Sequence, residues 1–263
     1  MKAMPEPADH AGALHEMNPT GRFSDRARDY VAFRPTYPAP IIDAVLDALG
    51  DPASLSAADV GAGTGISARL LAGRGVRVVA VEPNEPMALA AQPHPLVRWT
   101  LATAEETGLP ASSVDLVLCA QAFHWFRPIE ALAEFRRILR LRGRLALLWN
   151  VRDDSHPGTR AYSDIIKDVA GREPAEMREL DVTLLPRGGF EPPSIVRVPH
   201  VQRLDLRGLV GRALSASYVP KEGPGRAKAD AMLRDAFARH AQSDGMFELR
   251  YWSTAYLSSP SKA

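Results

Sequence analysis

The amino-acid sequence predicts an α/β protein built on a seven-stranded, mostly parallel sheet with helices on both faces. Three observations carry that expectation. From Ala57 onward, short apolar runs alternate with helix-length stretches, the pattern of βα units around a parallel sheet. A glycine cluster, Gly61, Gly63 and Gly65, stands between the first such run and the first such stretch. Ile129, Leu132, Phe135, Ile138 and Leu139 then recur at helical spacing, giving one helix a single apolar face.

Taken in order, strands are expected at 57–61, 76–82, 97–103, 114–119 and 143–150, with helices at 65–73, 85–91 and 128–140 between them. Gly73, Gly75, Gly108 and Gly143 fall where such units need helix C-caps and tight turns. Ahead of the sheet, Pro35, Pro38 and Pro40 break the chain, because proline fixes φ and restricts the residue before it. Residues 22–34 and 41–49 are therefore two separate helices, the second striped by Ile41, Ile42, Val45, Leu46 and Leu49. Residues 1–20, with three prolines and no apolar period, bury too little surface to offset their ordering entropy, and a disordered tail is expected. Beyond the core, residues 151–195 read as a connector or lid with one helix near 159–170. Strands at 194–206 and 246–257, flanking helices near 206–216 and 224–241, supply a closing pair of edge strands.

Composition narrows the functional classes. The chain has 263 residues, enough for one elaborated domain over 21–263, and its 46% apolar and 24% charged residues can build a sizeable core. A formal charge of +1 offers no bulk attraction to polyanions, so nucleic acid is not an expected partner. Cys119 is the only cysteine, which precludes an internal disulfide or a thiolate cluster and fits a reducing, cytoplasmic compartment. No apolar run approaches the ~18 residues of a membrane span, and the N-terminus lacks the apolar region of a signal peptide. The seven histidines show no HExxH or other metal-ligand spacing, and no G-x-S-x-G elbow occurs.

The chemistry concentrates at strand ends. Asp59-Val60-Gly61-Ala62-Gly63-Thr64-Gly65 follows a strand and precedes a helix, so glycine backbone can approach a ligand closely while the helix start offers free amides. Ile66 follows Gly65, which departs from the GxGxxG dinucleotide fingerprint, and the Lys-Ser/Thr end of a phosphate loop is missing. Glu82, about twenty residues on, ends the next strand, where a carboxylate can accept both hydroxyls of a ribose. Ala104-Glu105 closes the third strand. The fourth runs into Gln121-Ala122-Phe123-His124-Trp125-Phe126, at the carboxyl edge where open α/β sheets place their ligands.

With these residues the chain resembles the class I S-adenosylmethionine-dependent methyltransferases, specifically the small-molecule methyltransferase type 11 group. The resemblance spans about 21–257 and rests on Phe23-Ser24-Asp25 through Tyr30, Arg34-Pro35-Thr36-Tyr37-Pro38, Asp59 to Gly65, Ala104-Glu105, Gln121 to Phe126 and Ser215-Ala216-Ser217-Tyr218. It implies a Rossmann-like sheet with an antiparallel last strand, an N-terminal cover at 22–38, a cofactor-binding core at 57–150 and late-inserted helical cap elements within 151–241. It also implies that Gly61, Gly63, Thr64 and Gly65 hold the amino-acid end of S-adenosylmethionine and that Glu82 binds its ribose, with Pro83 and Met87 beside it. Ala104 and Glu105 would flank the adenine, Gln121 would lie near the sulfonium, and Tyr30 and Arg34 would fold over the cofactor.

Methyl transfer from a sulfonium is a direct displacement that chiefly needs alignment, so no metal or protein nucleophile is required. The expected acceptor is an O or N atom of a small metabolite in a pocket shaped by Tyr37, Trp125, Asn150 and Tyr218. His124 is the catalytic candidate, either as a general base or as a pocket wall. Arg34 suits the cofactor's carboxylate, an acidic acceptor or an internal carboxylate. A nicotinamide-dependent oxidoreductase and a non-catalytic methyltransferase-like scaffold are the alternatives, and the chain is expected to be a monomer or homodimer.

Overall fold

The computed structural model describes residues 31–171, 180–216 and 218–262. The expected tail at 1–20, most of the first helix and Tyr30 lie outside the described residues. Seven strands form one sheet: β1 (Ser56–Val60), β2 (Arg77–Val81), β3 (Val97–Thr100), β4 (Val114–Ala120), β5 (Leu139–Arg152), β6 (Ser194–Leu204) and β7 (Phe247–Ser258). Their spatial order is β3-β2-β1-β4-β5-β7-β6. The first five pair in parallel, whereas β7 runs antiparallel to both β5 and β6.

Helix α1 (Ala39–Leu46) precedes the sheet, and α2 (Ile66–Ala72), α3 (Glu85–Leu89) and α4 (Pro128–Ile138) fill the crossovers. Proline at the start of α1 falls in the first turn, where no intrahelical N–H bond is lost, so the helix begins earlier than expected and contains Pro40. The helix expected over 128–140 stops at Ile138. Leu139 is already extended and pairs with Val114, and the register shifts by the time Leu116 meets Arg144. Gly143 sits in this irregularity, where an added Cβ would lie 2.8 Å from Leu139 Cδ2 and 3.0–3.1 Å from two carbonyl oxygens. The third strand is shorter than 97–103, ending at Thr100, opposite Val81.

Alternation along β4 and β5 builds two cores. Val117, Cys119, Leu145 and Leu147 face one side and pack with Leu132 and Phe135 of α4. Leu116, Leu118, Ala146 and Leu148 face the other, against Ile41, Ile42, Val45 and Leu71. Leu185 of helix α6 (Leu184–Arg187) and Phe190 just after it belong to the first core, so this part of the connector packs on the sheet. Gly188 permits the approach, since a Cβ there would stand 2.5 Å from Leu132.

A third cluster forms the cap. The β6–β7 ribbon continues to Leu204–Phe247, past the last β5 pair at Arg152–Tyr251, and overhangs the carboxyl edge of the sheet. Helices α5 (Pro157–Ala170), α7 (Leu206–Leu214) and α8 (Gly223–His240) bury Tyr162, Ile166, Leu209 and Leu233 against Phe247 and Leu249 of that overhang. Residues 31–38 cross the same region. Gln202 Nε2 donates to Phe33 O at 2.9 Å and Arg34 Nη2 to Ser215 O at 3.4 Å. Phe33 itself packs so closely on α7 that a Cβ at Gly211 would fall 2.4 Å from its ring.

Candidate active site at the carboxyl edge

The glycine loop turns sharply at the tip of β1. Gly61, Gly63 and Gly65 have φ of 70°, 58° and 73°, the left-handed region that only glycine enters without strain. An added Cβ at Gly61 would also stand 2.5 Å from Ala122 Cβ and 2.9 Å from Phe126 Cζ, so the loop needs glycine for space as well as conformation. Gly65 then serves as N-cap of α2, and Thr64 is fully buried beside it.

Glu82 reaches the loop from the end of β2. Its carboxylate accepts from the Gly63 amide at 2.8 Å and from the Asn84 amide at 3.0 Å, which places an acid against the backbone expected to hold the cofactor. Burial raises its pKa, and the two amides partly offset that. Asn84 in turn caps α3 by accepting from the Met87 amide at 3.1 Å, which fixes Met87 in the buried wall next to Glu82. Pro83 between them is half-buried.

Asp59 was missed as a site residue by sequence reasoning. It is wholly buried directly under the loop, accepts from Ser67 Oγ at 2.7 Å, and its carboxyl pKa is raised to about 7. Burial dominates, the Ser67 hydroxyl and the Ala68 amide oppose it, and the neighbouring Glu82 charge adds to it. Asp59 Oδ1, Thr64 Oγ1 and Gln121 Oε1 are buried without a hydrogen-bond partner among the described residues. Three orphaned polar atoms around one glycine loop fit a polar cofactor that would complete them. Among the described residues no cluster of three His, Cys, Asp or Glu could hold a metal ion.

A cavity of about 230 Å3 opens from Gly61, Ala62 and Ser67 toward the cap. Arg34, Tyr37, Gln121 and Asn150, all expected from sequence, line it. Gln121 sits at φ 56° and donates from Nε2 to Asn150 O at 3.2 Å. Asn150 joins three segments: its Nδ2 donates to Thr36 O at 3.1 Å and its Oδ1 accepts from Ser253 Oγ of β7. Arg152, Asp154, Lys167, Arg212 and Tyr251 complete the far side. None of these was expected, because they come from strands and helices whose convergence no local pattern records.

The remaining expected residues lie elsewhere around the edge. Ala104 is buried in the core, and Glu105 accepts from the Arg127 amide at 2.8 Å at the start of α4. His124 and Trp125 occupy a short turn after β4 and do not line this cavity; the His124 ring lies 5.0 Å from that of Trp125 and 6.3 Å from that of Trp149. Tyr218 packs against the cap cluster after α7.

Comparison with known proteins agrees with this architecture. Residues 58–147 match the methyltransferase domain family. An uncharacterized methyltransferase of Mycobacterium tuberculosis is 36% identical over 234 residues, 85% of this chain and 90% of its own length. An uncharacterized methyltransferase-like protein of Schizosaccharomyces pombe is 32% identical over 201 residues, covering 76% and 78% respectively. Among solved structures, a type II methyltransferase from Anaeromyxobacter dehalogenans superposes with a TM-score of 0.62 at 26% identity, over 87% of this chain and 98% of that one. The [4+2]-cyclase SpnF shares the fold alone, at 16% identity, a TM-score of 0.56 and coverage of 96% and 98%. Through its β3-β2-β1-β4-β5-β7-β6 sheet, its glycine loop and these relatives, the chain belongs to the class I S-adenosylmethionine-dependent methyltransferases of the type 11 group.

Proposed function

We propose that this protein methylates an O or N atom of a small metabolite inside the cavity between the glycine loop and the cap. The observation that carries this is the enclosure: sheet edge, residues 34–37 and helices α5 and α7 surround a space suited to a small acceptor rather than to a macromolecule. S-adenosylmethionine bound beside the loop would supply an electrophilic methyl group, its C–S bond electrons remaining on sulfur.

The chain's own residues bind and align. Gly61, Gly63, Thr64 and Gly65 hold the amino-acid end, Glu82 accepts the ribose hydroxyls, and Pro83, Met87, Ala104 and Glu105 enclose the adenine. Arg34 covers the cofactor from the N-terminal side. Gln121, braced by Asn150, sets the boundary between donor and acceptor, while Tyr37 and Tyr218 help shape the cap. Excluding water and fixing approach geometry are the principal contributions, because alignment can supply up to ~7–11 kcal/mol of a barrier. His124 and Trp125 act as a wall behind Gln121, and the proton-accepting role for His124 is not required.

Calorimetry tests the cofactor half of this proposal. S-adenosylhomocysteine should bind saturably, and Glu82→Ala should weaken it roughly 10- to 100-fold, the loss of hydrogen bonds to a charged group. Binding of NAD in its place would refute it. Incubation with methyl-labelled S-adenosylmethionine and a metabolite extract tests the other half; label in a protein or RNA fraction alone, or in none, would refute small-molecule methylation.

A further inference from the structure

We propose that the methyl acceptor is a neutral primary or secondary amine, whose N–H donates to Gln121 Oε1 and whose lone pair is thereby turned toward the methyl group. This rests on the methyl-transfer function proposed above and narrows its acceptor from an O or N atom to a nitrogen that carries hydrogen.

Gln121 follows β4 and lines the cavity together with Ala120, Asn150 and Val151. Its backbone sits at φ 56°, in the left-handed region that a residue with a Cβ enters only under strain, and its amide donates to Leu148 O of β5 at 2.9 Å. The side chain is fixed as well, because Nε2 donates to Asn150 O at 3.2 Å. A carbonyl oxygen can only accept, so the NH2 end must face Asn150 and Oε1 is the end left over. Asn150 is itself tied on two sides, donating from Nδ2 to Thr36 O and accepting at Oδ1 from Ser253 Oγ. Oε1 is buried with no hydrogen-bond partner among the described residues, so it calls for a donor from the contents of the cavity.

The cofactor's amino-acid end is not that donor. Asp59 Oδ1 and Thr64 Oγ1 belong to the end of β1 and its loop, whereas Gln121 lies one strand further along the sheet and is tied to β5, the strand on the far side of β4. An amine suits this oxygen best. As the nitrogen lone pair bonds to the methyl carbon, the C–S bond electrons stay on sulfur and the nitrogen becomes an ammonium. Its N–H bond to Oε1 then strengthens, so the contact favours the transition state over the ground state. The extra proton leaves to water once the product is released. A hydroxyl can donate to the same oxygen, but its proton must depart as the O–C bond forms, and a glutamine amide is no base for it. A carboxylate or phosphate sets only lone pairs against another acceptor.

The test incubates full-length wild-type protein with methyl-labelled S-adenosylmethionine and a metabolite extract, then locates the label in each small-molecule product by tandem mass spectrometry. The label should lie on a nitrogen that bore hydrogen in the acceptor, and methylation should stop when no N–H remains. Label on oxygen, carbon or sulfur, or a quaternary ammonium product, would overturn the proposal. With the labelled acceptor in hand, Gln121→Met should lower kcat/KM roughly 10- to 100-fold, mainly through kcat, and leave S-adenosylhomocysteine affinity within threefold. Unchanged kcat/KM, or a loss carried by KM alone, would also overturn it. An equal loss of S-adenosylhomocysteine affinity would do the same by assigning Oε1 to the cofactor. If Gln121→Met does not fold, the position of the label in the wild-type products decides. No label in any small molecule would instead remove the methyl-transfer function on which the proposal stands.

Discussion

Replacing Asp59 with Asn should change how stability depends on pH. The carboxyl pKa is raised from the ordinary 3.8 to about 7, because the group is wholly buried with Glu82 nearby. An acid raised in the folded state contributes stability that is complete below its unfolded pKa and is lost as pH rises through its folded pKa. The loss therefore runs from about pH 4 to about pH 7, and stability falls with increasing pH in that window. At about 1.4 kcal/mol per pH unit the whole shift corresponds to roughly 4 kcal/mol, of which about 3 lies above pH 5. Asparagine keeps the shape and can still accept from Ser67, but it does not ionise. Urea unfolding of cofactor-free protein at pH 5, 6, 7 and 8 should show wild type losing about 3 kcal/mol relative to Asp59→Asn across that range. Parallel stability curves for the two proteins would refute the burial argument.

Gly61→Ala forces a left-handed φ of 70° on alanine and drives Cβ to 2.5 Å from Ala122, so strain and overpacking together should cost about 3 kcal/mol and lower Tm by roughly 10 °C. Thermal melts check this. Gly188→Ala meets Leu132 at the same 2.5 Å without the conformational penalty and far from the cavity, and should lower Tm by a few degrees while leaving S-adenosylhomocysteine affinity unchanged in calorimetry. His124→Gln should retain activity within about tenfold and keep the wild-type pH profile of kcat, since general-base loss would cost ~10²–10⁴-fold. A larger loss with disappearance of the acidic limb of the pH profile would make His124 the base after all.

Much of the geometry around the glycine loop was legible locally. Gly61, Gly63 and Gly65 announce a backbone conformation that other residues resist, and the structure puts all three in the left-handed region. Glu82 was readable by its distance from that loop, because a βαβ unit has nearly constant length, and its carboxylate meets the Gly63 amide. The alternating apolar pattern located all seven strands. Its bounds were off in places: β3 stops at Thr100, and β5 begins at Leu139, where pairing overrode the helical spacing and the register irregularity around Gly143 then aligns the strand with β4.

Tertiary structure alone decided the rest. Asp59 reads as one polar letter in an apolar run, and only the surrounding sheet buries it under the loop and raises its pKa. Asn150 looks like a strand-end amide, yet folding ties it to Thr36 and Ser253, more than a hundred residues away in either direction. Arg152, Lys167 and Arg212 are ordinary surface letters in sequence and share one cavity because the β6–β7 overhang seats α5 and α7 above the end of β5. Short-range sterics and periodicity act on neighbours along the chain and so leave their mark in sequence. Desolvation and charge convergence depend on groups brought together by topology, and no local stretch of residues carries that information.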